Sequence, residues 1–148
     1  MKLNDFFFAQ EFVPPEIFNK FGSASTWFIQ QEVVDGITFI RQTLDIRIRA
    51  NNWATVKGGM QNRGYRVKQV GDATLSQHFL ANAIDFDSPD MTVAEIYKWL
   101  MDNQDLILAK TAFSAIEDLG LTNKSGDGWI HLDKRFVPNA KGLVVVRP

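Results

Sequence analysis

Apolar residues follow two periodicities along this chain. From Ser23 to Asp45, Trp27, Val33, Val34, Ile37, Ile40 and Leu44 recur at helical spacing and predict one amphipathic helix. A shorter helix, Glu16 to Gly22, is predicted behind Pro14-Pro15 and is stopped by its glycine. At Asp45 the pattern changes to period two. Ile46 and Ile48 alternate with Arg47 and Arg49 as far as Ala50, as in a half-buried strand. Between Asn51 and Gln77 periodicity disappears. Asn51-Asn52-Trp53, Gly58-Gly59 and Arg63-Gly64-Tyr65-Arg66 mark a long glycine-punctuated loop, of the kind that folds over functional sites. Ala83 to Phe86 predicts a strand carrying Asp85. Thr92-Val93-Ala94-Glu95 is a capping box that opens a helix running to Asp102, with Val93, Ile96, Leu100 and Met101 on its apolar face. Ala112 to Glu117 and Gly128 to Leu132 predict two strands joined by a polar turn region, and Leu143 to Val146 a last strand. Helices first and strands later predict an α+β fold. A single domain over residues 1–148 is expected, with helices packed on a small, largely antiparallel sheet.

Composition narrows the function classes. A chain of 148 residues, 45 % of them hydrophobic, can bury one good core and is not disordered. Its net charge of −1 speaks against coating nucleic acid or an anionic membrane, so neither is expected as a partner. Cysteine is absent, which excludes disulfides, thiolate metal sites and cysteine nucleophiles. Any metal must sit on His, Asp or Glu. No stretch is long enough to span a bilayer. The segment Met1 to Phe8 lacks an unbroken apolar run, so no signal peptide is expected and synthesis in the cytoplasm follows.

The only two histidines carry the candidate chemistry. His78 stands in Ser76-Gln-His-Phe-Leu-Ala-Asn-Ala-Ile-Asp85, and His131 in Gly128-Trp-Ile-His-Leu-Asp133. Taken singly, each reads as a hydrogen-bonded structural histidine, and Asp85 as a solvent-facing carboxylate on an alternating strand. Together they are a complete set of protein ligands for a catalytic zinc, which keeps its fourth position open. Ala83, Ile84 and Phe86 put Asp85 in apolar company, where an unpaired charge is costly. Asp133, two residues from His131, is placed to accept a hydrogen bond from an imidazole and orient it.

The pattern Ser-x-His-x-x-Gly-x-Ala-x-Asp followed by Trp-x-His-x-Asp resembles the zinc peptidases of peptidoglycan. These are the D-alanyl-D-alanine carboxypeptidases and dipeptidases and the L-alanyl-D-glutamate endopeptidases of phage lysins. Ser76, His78, Ala83 and Asp85 match the first motif, and Trp129, His131 and Asp133 the second. The segment Asn51 to Arg66 resembles the one that carries that group's substrate arginine. The resemblance implies zinc held by His78, Asp85 and His131, with Arg66 binding a peptidoglycan stem peptide. It also implies a phage-type product, acting on the wall after release or as a virion component. Two positions depart from the pattern. The motif glycine is Ala81, and the glutamate that many members carry three residues before the last histidine is Gly128. The general base is therefore sought elsewhere. If Ala115 opposes His131 in an antiparallel pair, Glu117 lies diagonal to His131 on the same face. Asp127 is the second candidate, although it also reads as a turn residue before Gly128.

A peptidase of this kind needs a base to move a proton from water to the leaving amine. It also needs a cation for the substrate carboxylate or for the oxyanion. Arg66 suits either task, and Arg63 reads as structural or as part of the rim. Two other classes remain open. One is an inactive relative that keeps zinc or binds wall peptide, on the strength of Gly128. The other is a single-strand nucleic-acid strip built from Arg47, Arg49, Lys57, Arg63, Arg66 and Lys68 with Trp53 and Tyr65. A Ser76–His78 hydrolase is weaker still, because no Gly-x-Ser-x-Gly elbow surrounds Ser76.

Overall fold

A computed structural model describes residues 1–68 and 76–147; residues 69–75 of the predicted loop lie outside it. Along the chain stand α1 (Pro15–Phe21), α2 (Gln31–Leu44), β1 (Ala83–Phe86), α3 (Val93–Asp102), α4 (Gln104–Lys110), β2 (Ala115–Glu117), α5 (Leu119–Thr122), β3 (Ile130–Asp133) and β4 (Val144–Val146). The fold is α+β. The four strands form one sheet in the order β1-β3-β2-β4. β3 pairs antiparallel with β1 and β2, but β4 runs parallel to β2, so the sheet is mixed.

One sheet face carries Ile84, Phe86, Ile116, Ile130 and Leu132. These join Val33, Val34, Ile37 and Ile40 of α2, Ile96 and Leu100 of α3 and Ile107 of α4 in a single buried cluster. Helix α3 starts where the capping box places it. Thr92 Oγ1 accepts the Glu95 N–H at 3.3 Å, and Glu95 Oε2 accepts the Thr92 N–H at 2.9 Å. Such caps stabilise a helix by about 1 kcal/mol.

Three expectations are corrected. The long helix from Ser23 is interrupted. A 3-10 segment covers Gly22–Phe28, Ile29 is extended, and α2 begins at Gln31. Phe28 packs against Phe21 and stacks on Tyr65, with ring centroids 5.0 and 5.4 Å apart, which turns this segment off the α2 axis. Trp27, placed on the apolar face by periodicity, is 82 % exposed. The segment Asp45 to Ala50 keeps its alternation, with Ile48 and Ala50 buried, but among the described residues it pairs only through the isolated bridge Arg49–Asp87, just beyond β1. The polar connection between β2 and β3 contains α5, capped by the Asp118 side chain.

Candidate metal centre

The other sheet face carries the chemistry. Asp85 on β1 is directly opposite His131 on β3, and Asp133 lies between Ala83 and Ala115 in the next row. His78 reaches the same face from a 3-10 turn, Gln77–Leu80, in which Ser76 Oγ accepts the His78 N–H at 3.3 Å. Beyond the turn, Ala81 stands at φ 56°, ψ 18°, the left-handed conformation that the motif glycine would adopt without strain. His78, Asp85, His131 and Asp133 are all buried.

Three electron-pair donors converge. His78 Nε2 lies 3.2 Å from Asp85 Oδ1 and 3.2 Å from His131 Nδ1, and His131 Nδ1 lies 2.7 Å from Asp85 Oδ1. The far nitrogen of each ring is engaged. His78 Nδ1–H donates to the Gly64 carbonyl at 2.7 Å, and His131 Nε2–H donates to Asp133 Oδ2 at 3.1 Å. These contacts select the tautomers and leave His78 Nε2 and His131 Nδ1 aimed at one another. Lone pairs at such separation repel unless a proton or a metal ion lies among them; without metal, a proton on His131 Nδ1 bonded to Asp85 Oδ1 meets that need. A tetrahedral zinc with bonds of about 2.0–2.1 Å needs ligand atoms roughly 3.3 Å apart; the two 3.2 Å separations match this, and the 2.7 Å His131–Asp85 contact is a hydrogen bond that the ion would open by about half an ångström. Metal-bound imidazoles usually carry such a hydrogen bond on the far nitrogen.

The charges agree with this arrangement. Burial works to raise the Asp85 carboxyl, but the two imidazoles outweigh it and hold the group well below the usual carboxylate range. Burial likewise opposes charge on His131, yet Asp133 and Asp85 together raise it to about 9. Asp133 is opposed by burial and lowered to about 2, chiefly by Arg135, whose Nε donates to its Oδ1 at 2.8 Å.

Arg66 lies in the centre rather than in open solvent. Its Nη2 donates to Asp85 Oδ2 at 2.6 Å, its Nε to the Asn62 carbonyl, and its backbone N–H to the His78 carbonyl at 3.2 Å. The preceding loop is pinned in place. Asp85 N–H donates to the Arg63 carbonyl at 2.6 Å, Tyr65 N–H to the Phe12 carbonyl at 2.7 Å, and Asn51 Oδ1 accepts the Arg63 N–H at 2.8 Å. Gly64 is required at this crossing, because a Cβ there would come within 2.2 Å of the Phe12 carbonyl oxygen. Arg63 itself is structural. It bonds to Asp87 Oδ2 at 2.7 Å and to the Arg49 carbonyl.

The two candidate bases separate clearly. Carrying the β2–β3 register one residue further sets Glu117 directly opposite His131, two residues from the predicted register and on the same face. Glu117 is half-buried. Burial raises its pKa, with His131 and Arg66 pulling it down and Asp85 and Asp133 pushing it up, so it stands within the field of the cluster. Asp127 is exposed on the loop before β3 and lines a groove with Arg49, Arg63 and Asp87, a groove that includes no residue of the His78–Asp85–His131 set. Gly128 cannot carry the expected glutamate, since a Cβ would lie 2.1 Å from the Thr122 carbonyl oxygen. Ser76 Oγ accepts a backbone N–H, and both ring nitrogens of His78 are turned to other partners, which leaves no Ser–His pair.

Sequence reasoning missed the Gly64 carbonyl and Arg135. The first leaves no side-chain signal. The second was visible only as a basic residue two positions after Asp133. No family model, curated protein or solved structure matches this chain.

Proposed function

We propose that this chain is a zinc-dependent peptidase that hydrolyses a peptide bond in peptidoglycan stem peptides, as a D-Ala-D-Ala carboxypeptidase or an L-Ala-D-Glu endopeptidase. The observation that carries the reading is the convergence of His78 Nε2, His131 Nδ1 and Asp85 Oδ1, with the far ring nitrogens already bonded. Those three residues would hold the zinc, which supplies Lewis-acid chemistry that polarises a carbonyl and makes water a usable nucleophile near neutral pH. Glu117 accepts the proton of the attacking water on its carboxylate and delivers it to the leaving amine. Its raised pKa suits a group that must both take and return a proton. Arg66, fixed against Asp85, sets its positive charge beside the reacting carbonyl, where negative charge develops on the oxygen. Asp133 and the Gly64 carbonyl hold the two imidazoles in the required tautomers.

Against the nucleic-acid reading stands the pairing of the four arginines it would use. Arg47 engages Asp90, Arg49 and Arg63 engage Asp87, and Arg66 engages Asp85. A non-cutting relative that binds wall peptide remains the second reading, favoured by Gly128 standing in place of the glutamate. Metal analysis of purified protein beside His131→Ala tests the site. One zinc per chain in the natural sequence and none in the variant is expected. Undiminished zinc in the variant overturns the ligand set.

A further inference from the structure

Arg135 has no role in the mechanism so far, yet it is among the most firmly placed charged groups at the site. Asp133, which is fully buried, accepts its backbone N–H at 3.0 Å, its Nε at 2.8 and 3.1 Å, and its Nη2 at 2.5 Å. The same carboxylate accepts His131 Nε2–H, so the Arg135 guanidinium is one residue removed from a proposed zinc ligand. A guanidinium has five N–H donors and two edges that can grip a carboxylate. Asp133 takes the Nε/Nη2 edge. Among the described residues no acceptor takes the Nη1 side, and the side chain is 36 % exposed. Arg66 is the contrasting case, 14 % exposed and bonded to Asp85 and the Asn62 carbonyl. One arginine is sunk beside the donor triad. The other is held on Asp133 beside His131, more than a third exposed and with its Nη1 edge untaken among the described residues.

We propose that Arg135 is the specificity-determining residue of this site, binding a free carboxylate of the peptide substrate through its outer edge. The inference rests on the peptidase reading above and deepens it. The substrate is then a peptide with an ionised carboxylate close to the scissile bond. A stem peptide offers two such groups, the C-terminal carboxylate of D-alanine and the free α-carboxylate of D-glutamate. A contact made by a pre-positioned fork is equally strong before and during reaction, so it governs binding and KM more than kcat. Because the guanidinium already lies on Asp133, little side-chain freedom is lost when the ligand arrives.

The test is equilibrium binding, by calorimetry, to zinc-loaded protein carrying Glu117→Gln so that the ligand is not consumed. Three ligands are compared: the γ-linked pentapeptide L-Ala-γ-D-Glu-L-Lys-D-Ala-D-Ala, its C-terminal amide, and its D-Glu α-amide. One amide is expected to bind at least about tenfold more weakly than the parent, as for a lost charged hydrogen-bond pair. Which amide does so identifies the carboxylate. This arm needs no change at residue 135. Adding Arg135→Gln is expected to make the parent and that amide bind within about twofold of each other. Arg135→Lys keeps a cation on Asp133 but has no second edge, and is expected to lose the discrimination while retaining zinc. Parent and both amides binding alike when Arg135 is present, or discrimination that survives in either variant, overturns the assignment. Failure of all three peptides to bind removes the peptidase reading, and the role of Arg135 with it.

Discussion

Zinc and a proton compete for His131 Nδ1. In metal-free protein the ring is raised to about 9: burial opposes its charge, but the flanking Asp133 and Asp85 carboxylates prevail. Zinc must displace that proton. At pH 7, about two units below that value, displacing the proton weakens apparent affinity roughly a hundredfold, on the order of 3 kcal/mol. Asp85, held far below the usual range, releases no proton in this window. Apparent zinc affinity should therefore rise about tenfold per pH unit from 7 and level off near 9. Calorimetry in buffers of different ionisation enthalpy should count close to one proton released per zinc at pH 7. Stability follows with the same sign. A folded-state pKa raised from 6.5 contributes stability that is complete below 6.5 and lost as pH rises through about 9. Metal-free protein should accordingly lose on the order of 3 kcal/mol across that interval, and zinc-loaded protein should not. Asp133→Asn removes one of the two flanking charges and should reduce the proton count. A pH-independent affinity with no proton released would refute the reasoning.

Glu117→Gln should keep its zinc and lower kcat by about 10²–10⁴, measured as metal content beside stem-peptide turnover. An active Glu117→Gln with a dead Asp127→Asn would transfer the base to Asp127. Arg66→Ala should lower kcat/KM at least about tenfold, ~1.4 kcal/mol, and mainly through kcat, because Arg66 stands beside Asp85 and the reacting centre. Arg66→Lys should recover only part of this, since a point charge cannot copy the fork; a variant within twofold of the natural protein in steady-state kinetics would remove the role. Ala81→Gly relieves a left-handed residue at φ 56° and should stabilise the protein by roughly 0.5–1 kcal/mol, which raises Tm by a few degrees (about 2–4 °C) in thermal melts. A lower Tm would show that Ala81 is unstrained.

The parts legible in the sequence are those in which one local rule acts alone. Thr92 and Glu95 announce their helix, and apolar neighbours announce β1 and its buried Asp85. The two histidines were legible as partners because no others compete. Parity also survives errors of register. Shifting the β2–β3 pairing by two residues keeps Glu117 on the His131 face, whereas a shift of one would have turned it away. What periodicity could not show depends on tertiary contacts. Phe28 leaves the helical stripe to stack on Tyr65, and β4 joins the sheet parallel to β2. The short helices α4 and α5 are below the length at which a helical period can be read. Arg66 was identified by type and position, but its pairing with Asp85 arises only when the segment around Gly64 crosses Phe12.

Incubation of zinc-loaded protein with the γ-linked pentapeptide L-Ala-γ-D-Glu-L-Lys-D-Ala-D-Ala, followed by mass spectrometry, asks whether the metal centre is a peptidase. The expected result is one cleavage, releasing either D-alanine or L-alanine, that disappears when zinc is stripped, returns when it is restored, and is lost in Glu117→Gln. An intact peptide in the presence of protein carrying one zinc per chain on His78, Asp85 and His131 would contradict it.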